Sequence, residues 1–481
     1  MCAYGSPHDC HAERSEASHE AVPSGVAWDF LVVLRVHLSP TPFGDSSLTR
    51  VAENDTLDTP FYYRNMALIL GIESSCDETS AAVVRDGEEL LSNVVLSQLL
   101  THHPYGGVVP ELASREHLRA IVPVVRQALE QSGLAMESID ALAVTQGPGL
   151  AGALLVGLSY AKALAFALEK PLISVNHLEG HIHAVLLEWR QNGNQQRGIA
   201  RQPASGPAEG FEPGVADLPS AGSLGWKPAG ALPGLEFPVL ALVVSGGHTH
   251  LYLAEQINSS WRYQNVGHTR DDAAGEAFDK VAKLLALGYP GGPIIDALAK
   301  YGDAAAVNFP AAQLKHRDRK DRGPNPARPH FDFSFSGIKT AVLRYVETQG
   351  MKSSIDARRS ALAELAKPSI EDLRKHCDRR TLDLVASFQR GVVQDLTGKT
   401  LAAAREYQVS TLLVSGGVAA NSELRRAFER SAAREGLQVL FPTRPLSTDN
   451  AAMIAAAAYP KWLAHDFASP DLTAEASLPL R

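Results

Sequence analysis

Cysteine is scarce in this chain of 481 residues: Cys2, Cys10, Cys76 and Cys377 are widely spaced and form no C-x-x-C pair. That excludes a disulfide framework and points to a reducing compartment, the cytoplasm. An excess of basic charge is missing too. The net charge is −8, and the first 65 residues hold nine acids against four bases, which leaves the remainder near neutral. Global charge therefore does not announce a nucleic-acid binder, although a local basic patch stays open. A convincing membrane span is also lacking. The run 150–168 is about long enough, but it holds Ser159, Tyr160 and Lys162 and follows a Gly-Pro-Gly turn, so it reads as a buried core helix. The apolar run 30–36 is too short and has no basic flank ahead of it, so no signal peptide and no membrane association are expected. What is present, 45% hydrophobic and 20% charged residues, is globular composition with length for two or three domains.

The first 65 residues are polar, contain Pro and Ser, and sustain no period, so they read as a disordered or spurious extension ahead of Met66. Strand, turn, strand follows: 68–72, a turn over 73–79, then 80–84, with Asp86-Gly87 marking the next hairpin. Apolar residues Leu112, Leu118, Ile121, Val122, Val125 and Leu129 predict a helix over 111–131. A strand at 141–145 feeds the 150–168 helix through Gly147-Pro148-Gly149. Residues 190–235, rich in Gly, Pro, Ala, Gln and Asn, read as a flexible insertion. The opening theme then returns: strand 237–244, turn 245–249, strand 250–254, and later a strand 411–414 running through Ser415-Gly416-Gly417 into a helix 422–435. Residues 350–380 read as a second, charged and partly helical insertion, and 315–328 as a basic loop. This loose duplication predicts two α/β halves facing each other, with Gly-rich turns that let backbone N–H groups approach phosphates.

The stretch with the most chemistry is His177-Leu178-Glu179-Gly180-His181, which follows a short strand at 172–175. Asn176 can cap a helix there, and two imidazoles at i and i+4 share one helix face. They can bind one divalent metal, or be an ordinary histidine pair. Asp449, in a Ser-Thr-Asp-Asn turn before an Ala-rich helix, is the best offer of a carboxylate third ligand. Glu179 falls on the opposite side of the helix, and it does not follow the first histidine directly, so the H-E-x-x-H peptidase pattern is absent. Asp77 and Glu78 pair two carboxylates in the first turn, where they can act as a base, orient water or hold a metal, or simply make a turn. Cys76 beside them reads as packed, since no basic neighbour would activate it. Ser245 and Thr249 offer hydroxyls, and Gly246 and Gly247 close backbone approach, to a phosphate. Asn421 can bond ribose or a base edge, or cap its helix.

Seven motifs occur in order: Gly71-Ile-Glu-Ser-Ser-Cys-Asp-Glu-Thr79, Val109-Pro-Glu-Leu-Ala-Ser-Arg115, Asn176-His-Leu-Glu-Gly-His181, Val244-Ser-Gly-Gly-His-Thr249, Asp272-Ala-Ala-Gly-Glu-Ala-Phe-Asp-Lys280, Asp332-Phe-Ser-Phe-Ser-Gly337 and Ser415-Gly-Gly-Val-Ala-Ala-Asn421. Together they closely resemble the bacterial tRNA threonylcarbamoyladenosine transferase family, relatives of Kae-type proteins once labelled glycoproteases. The resemblance implies an α/β, bilobal, actin-like and sugar-kinase-like ATPase fold with a nucleotide cleft. An N-lobe would comprise 66–235 and 448–481, and a C-lobe 236–447. It implies transfer of threonylcarbamoyl from threonylcarbamoyl-AMP to N6 of the adenosine 3′ of the anticodon, in tRNAs reading ANN codons. It implies one divalent metal, iron or zinc, on His177, His181 and Asp449, adenylate binding by Val243, Val244, Ser245, Gly246, Gly247, Asp279, Gly292, Asp296 and Asn421, and catalytic carboxylates at Asp77 and Glu78. The implied partners are tRNA, a paralogous non-catalytic subunit of the same fold and a small P-loop ATPase. A metal-dependent peptidase and a small-molecule kinase or ATPase of the same fold are the rival readings.

Overall fold

Alternating apolar residues pair the first strands into an antiparallel meander: β1 (Leu68–Glu73), β2 (Glu78–Arg85) and β3 (Glu89–Ser97). In this computed structural model the described residues are 67–196, 232, 234–257, 260–309, 331–365 and 368–481. The expectations for 1–65, for most of 190–235 and for the basic loop 315–328 fall outside them. Asp86 and Gly87 close the β2–β3 hairpin with positive φ of 54° and 64°, the left-handed pair that such a turn demands. After α1 (Leu99–His102) come α2 (Pro110–Ser132), β4 (Ala141–Gly147), α3 (Ala151–Leu168), β5 (Leu172–Asn176) and α4 (His177–Gln196). The strand order is β3-β2-β1-β4-β5, with β4 parallel to β1 and β5 parallel to β4.

The second half repeats this. A meander of β6 (Val239–Val244), β7 (Thr249–Ile257) and β8 (Ser260–His268) leads to α5 (Ala274–Leu284), α6 (Gly291–Ala299), α7 (Ser336–Thr348), α8 (Lys352–Ala363), α9 (Ile370–Lys375) and α10 (Arg379–Tyr407). Then come β9 (Thr411–Ser415), α11 (Ser422–Glu435), β10 (Gln438–Leu440), α12 (Arg444–Ser447) and α13 (Ala451–Leu463). The order is β10-β9-β6-β7-β8, with β9 parallel to β6 and β10 to β9. From β1 and from β6 outward the sheets share one pattern: two antiparallel neighbours on one side, two parallel on the other. The fold is the duplicated, bilobal α/β architecture of actin-like ATPases.

Period-two alternation sorts the strand residues between faces. Leu70 and Ile72 of β1 pack with Ile121 and Val125 of α2 and Leu158 of α3, while Ile69 packs with Ala452, Ala455 and Ala456 of α13. In the second sheet Leu240, Leu242 and Val244 face a core with Phe278 and Phe388, whereas Val239, Ala241 and Val243 face Leu178, Ile182 and Val185 of α4. Helix α4 thus belongs to both halves: Ala184 and Leu187 pack toward the first sheet and Ile182 toward the second.

The helix expected over 111–131 is present as α2, with Leu118 and Val122 exposed because the sheet covers only the face bearing Ile121, Val124 and Val125. One expectation needs correction. Helix α3 is long and apolar enough to cross a membrane, but it is not buried all round: Ala153, Leu154, Leu158 and Ala161 pack inward while Leu155 and Phe166 are exposed. Residues 350–380 are partly helical, as expected, and also contribute to the core. Met351, Ile355, Leu373 and Cys377 share a core with β6 and α10, and Arg358, only 1% exposed, donates to the carbonyls of Leu285 and His376 and to Thr381. A charged surface concealed a buried face there.

Candidate active site

The strand β5 ends at Asn176, whose Oδ1 accepts the Leu178 N–H at 2.9 Å and starts α4 as its cap. His177 and His181 follow on one face, 2% and 0% exposed, with ring centroids 4.7 Å apart. Asp449 reaches them from the turn between α12 and α13. That turn is pinned by Asn450, which accepts from Met453 N–H and donates to the carbonyls of Leu446 and Thr448. Asp449 Oδ1 lies 3.2 Å from His181 Nε2 and 3.7 Å from His177 Nε2. One donor atom from each of the three residues falls within 4.8 Å of the others.

These donors fit a divalent cation. His181 Nε2 is buried with Asp449 as its one close polar neighbour, and its buried Nδ1 has no hydrogen-bond partner among the described residues. A buried polar atom left unpaired is costly unless something else occupies it. Burial opposes charge on His177, yet Asp449 and then Glu73 push its pKa up to about 9. Burial likewise opposes the Asp449 carboxylate, and His177, His181 and His248 together outweigh that and hold it below the usual range. A positive charge is therefore called for between these carboxylates, and a metal can take the place of the proton. Glu179 turns away as the helical step requires: its carboxylate accepts from Tyr263 at 3.4 Å and pairs with Lys461 at 3.0 Å.

The glycine turn between β6 and β7 faces this cluster. The His248 ring sits 5.7 Å from that of His177, and burial, then His177, pushes its pKa down to about 3. Ser245 is engaged within the turn, its N–H donating to His248 O at 2.8 Å and its Oγ accepting from His248 N–H at 3.2 Å. Gly246 and Gly247 are exposed, and a Cβ on either would meet nothing. Val243 and Val244 are fully buried strand residues whose side chains pack into the cores on opposite faces of the sheet. Gly275 N–H donates to Ser245 O at 3.1 Å and brings α5 against the turn. On α5, Asp279 accepts from Gly291 N–H at 2.6 Å, which places Gly292 in the first turn of α6. On α6, Asp296 accepts from Ser422 Oγ at 2.8 Å beside Asn421. Asn421 is the α11 cap, accepting from Glu423 and Leu424 N–H, and its amide also donates to Gln389 at 3.0 Å. One chain of contacts so links Ser245, Gly246, Asp279, Gly292, Asp296 and Asn421.

Across from them, Asp77 and Glu78 sit where β2 begins. His117 of α2 clamps that turn, 2.7 Å from Thr79 Oγ1 and 3.1 Å from Cys76 O. Burial, then Asp77, raises the Glu78 carboxyl well above its usual range, and the same two causes raise the Cys76 thiol, which is half-buried and held protonated. Asp279 is pushed up to about 6 by burial, with Asp77 adding to it against the Gly291 hydrogen bond. The folded protein thus holds the Asp279 proton more tightly than the unfolded chain does, and the stability this contributes is lost as pH rises through about 6. Asp279→Asn is expected to melt higher than wild type above pH 6, with the difference vanishing below about pH 4. Melting curves across that range check it; an offset independent of pH contradicts it.

Four residues of this region were not singled out from sequence. Glu73 and Thr145 are buried beneath His177, Ser75 Oγ lies 3.1 Å from its Nδ1, and His248 faces it. For Glu73, Ser75 and His248 position in the first and fourth motifs was the only signal, and it named no partner; Thr145 lies in none of the motifs.

The model of a family described as tRNA N6-adenosine threonylcarbamoyltransferase matches residues 89–196 and 227–456. A protein of that description from Koribacter versatilis is 63% identical over 421 residues, 86% of this chain and 99% of its own. One from Syntrophotalea carbinolica is 47% identical over 81% of this chain and 90% of its own, and one from Moorella thermoacetica 43% identical over 86% and 97%.

Proposed function

The chain belongs to the tRNA N6-adenosine threonylcarbamoyltransferase family, and from that premise we propose how its cleft transfers threonylcarbamoyl from threonylcarbamoyl-AMP to N6 of the adenosine 3′ of the anticodon in tRNAs reading ANN codons. The observation that carries the reading is the meeting of His177, His181 and Asp449 with the Ser245–Gly247 turn from the other half of the molecule. The three side chains would hold one divalent metal, iron or zinc, which supplies Lewis acidity toward the donor's carbonyl or phosphate oxygens.

The donor is a mixed carbamic–phosphoric anhydride and is already activated, so no protein nucleophile is needed. This agrees with the half-buried Cys76 thiol, which is held protonated. Open backbone at Gly246 and Gly247 suits the phosphate, and the line from Asp279 through Gly292 and Asp296 to Asn421 suits the adenosine. Because Asp296 and Asn421 already bond their neighbours, they serve as fixed walls that share their acceptors with the ribose. As the N6–carbonyl bond forms, the carbonyl–O–phosphate bond breaks and AMP leaves. Asp77 accepts the amine proton, and Glu78, held toward its protonated form, donates a hydrogen bond. The orientation of Glu179 away from the three ligands speaks against a peptidase.

For partners we propose, beside tRNA, a paralogous subunit of the same fold and a small P-loop ATPase, in the cytoplasm. The exposed Leu118, Val122, Leu155 and Phe166 on α2 and α3 support a docked subunit. Nucleoside analysis of tRNA from cells depleted of the protein tests the function: threonylcarbamoyladenosine is expected to disappear and to return with the wild-type gene. An unchanged nucleoside level would overturn it.

A further inference from the structure

Glu73 closes β1 and is wholly buried, with no lysine or arginine among its hydrogen-bond or ion-pair partners in the described residues. Its Oε2 accepts from Thr145 Oγ1 of β4 at 2.7 Å and lies 3.2 Å from His177 Nδ1, while Oε1 accepts the Ser75 N–H at 2.5 Å. These contacts tie together the ends of two parallel strands and the first residue of α4.

We propose that Glu73 is the positioning residue for His177, fixing the imidazole with its proton on Nδ1 so that Nε2 is presented to Asp449 and His181; this rests on the metal reading above. A carboxylate only accepts, so the nitrogen facing it carries the hydrogen. The lone pair then stands on Nε2, the nitrogen that lies 3.7 Å from Asp449. Histidine ligands are commonly held this way by an outer carboxylate. Charge argues in the same direction. Two carboxylates, Glu73 and Asp449, with two neutral imidazoles balance one divalent cation, whereas without a cation they crowd negative charge in a buried site. The two ligands are thereby unequal. His177 is anchored through Nδ1, and His181 has no partner on Nδ1 among the described residues. Glu73 therefore governs one ligand and not the other.

The test uses the purified full chain, zinc alone as probe, and chelator competition to read affinity. Glu73→Gln keeps the shape but can donate from its amide, which favours the wrong tautomer. Zinc affinity is expected to fall about 10–100-fold, while adenosine-nucleotide affinity stays at the wild-type value. In a double-mutant cycle, Glu73→Gln should cost nothing further once His177 is Ala, a coupling that a purely structural role would not show. Glu73→Asp, which keeps an acceptor but shortens its reach, should fall between wild type and Gln, and it carries the test if the Gln variant does not fold. Zinc affinity unchanged in the Glu73 variants, or lost by the same factor with His177 already removed, overturns the role. Loss in His181→Ala without loss in Glu73→Gln overturns the Glu73 role alone. Equal affinity in wild type and His181→Ala overturns the metal reading and this role with it.

Discussion

His181→Ala is expected to lose its metal and threonylcarbamoyl transfer while it continues to bind the adenylate. Among the described residues the side chain is one of three protein donors in the cluster, and it is fully buried with Asp449 as its only close polar partner. Removing an outer partner of a ligand costs about 10–100-fold in metal affinity, so deleting the ligand itself should cost more, and transfer should fall at least as far. The glycine turn, Asp279 and Asn421 are held by contacts that do not involve His181. Nucleotide affinity should therefore survive within a few-fold. Metal content, nucleotide affinity and transfer to tRNA on one purified variant separate the possibilities. Full metal occupancy with normal transfer would refute the assignment, and reduced stability at unchanged stoichiometry would make His181 a packing residue only.

The sequence was most legible where local rules act alone. Asn176 caps α4 as its side chain and position suggest, the Asp86-Gly87 pair turns β2 into β3, and Glu179 departs from the ligand face by the plain helical step. The duplicated strand–turn–strand openings became two sheets of one topology, since alternation and Gly-rich turns are properties of short segments. Legibility failed where a residue's role depends on what lies opposite. Leu118 and Phe166 obey helical periodicity yet face outward, because the width of the sheet, not the helix, sets how much is covered. Glu73 looked like part of an acidic turn, and only the crossing of β1, β4 and α4 places it under His177. The frequent charges of 350–380 concealed its dispersed buried side chains, so its share of the core was not legible.

Gly71→Val is expected to be strongly destabilising. Gly71 lies mid-strand in β1, where glycine is otherwise a poor choice, and its missing side chain is what lets α13 lie directly on the sheet. A Cβ there would strike the carbonyl oxygen of Ala451 and come within 2.9 Å of Ala455 N and 3.0 Å of Ala455 Cβ. Two of these are backbone atoms, so no rotamer change relieves them. Overpacking a core costs about 1–3 kcal/mol when side chains can adjust, and a collision with helix backbone should sit at or above the top of that range. The effect should also reach the metal cluster, for Asp449 stands two residues before Ala451 at the head of α13. If the helix is pushed off the sheet, Asp449 leaves His177 and His181, and zinc affinity falls together with melting temperature. Gly71→Ala should show the same pair of losses in milder form. Melting and zinc titration on both variants decide the matter. A Val variant that melts like wild type would mean α13 shifts freely, and one that melts low but binds zinc normally would mean the Asp449 turn is held by Asn450 independently of the helix.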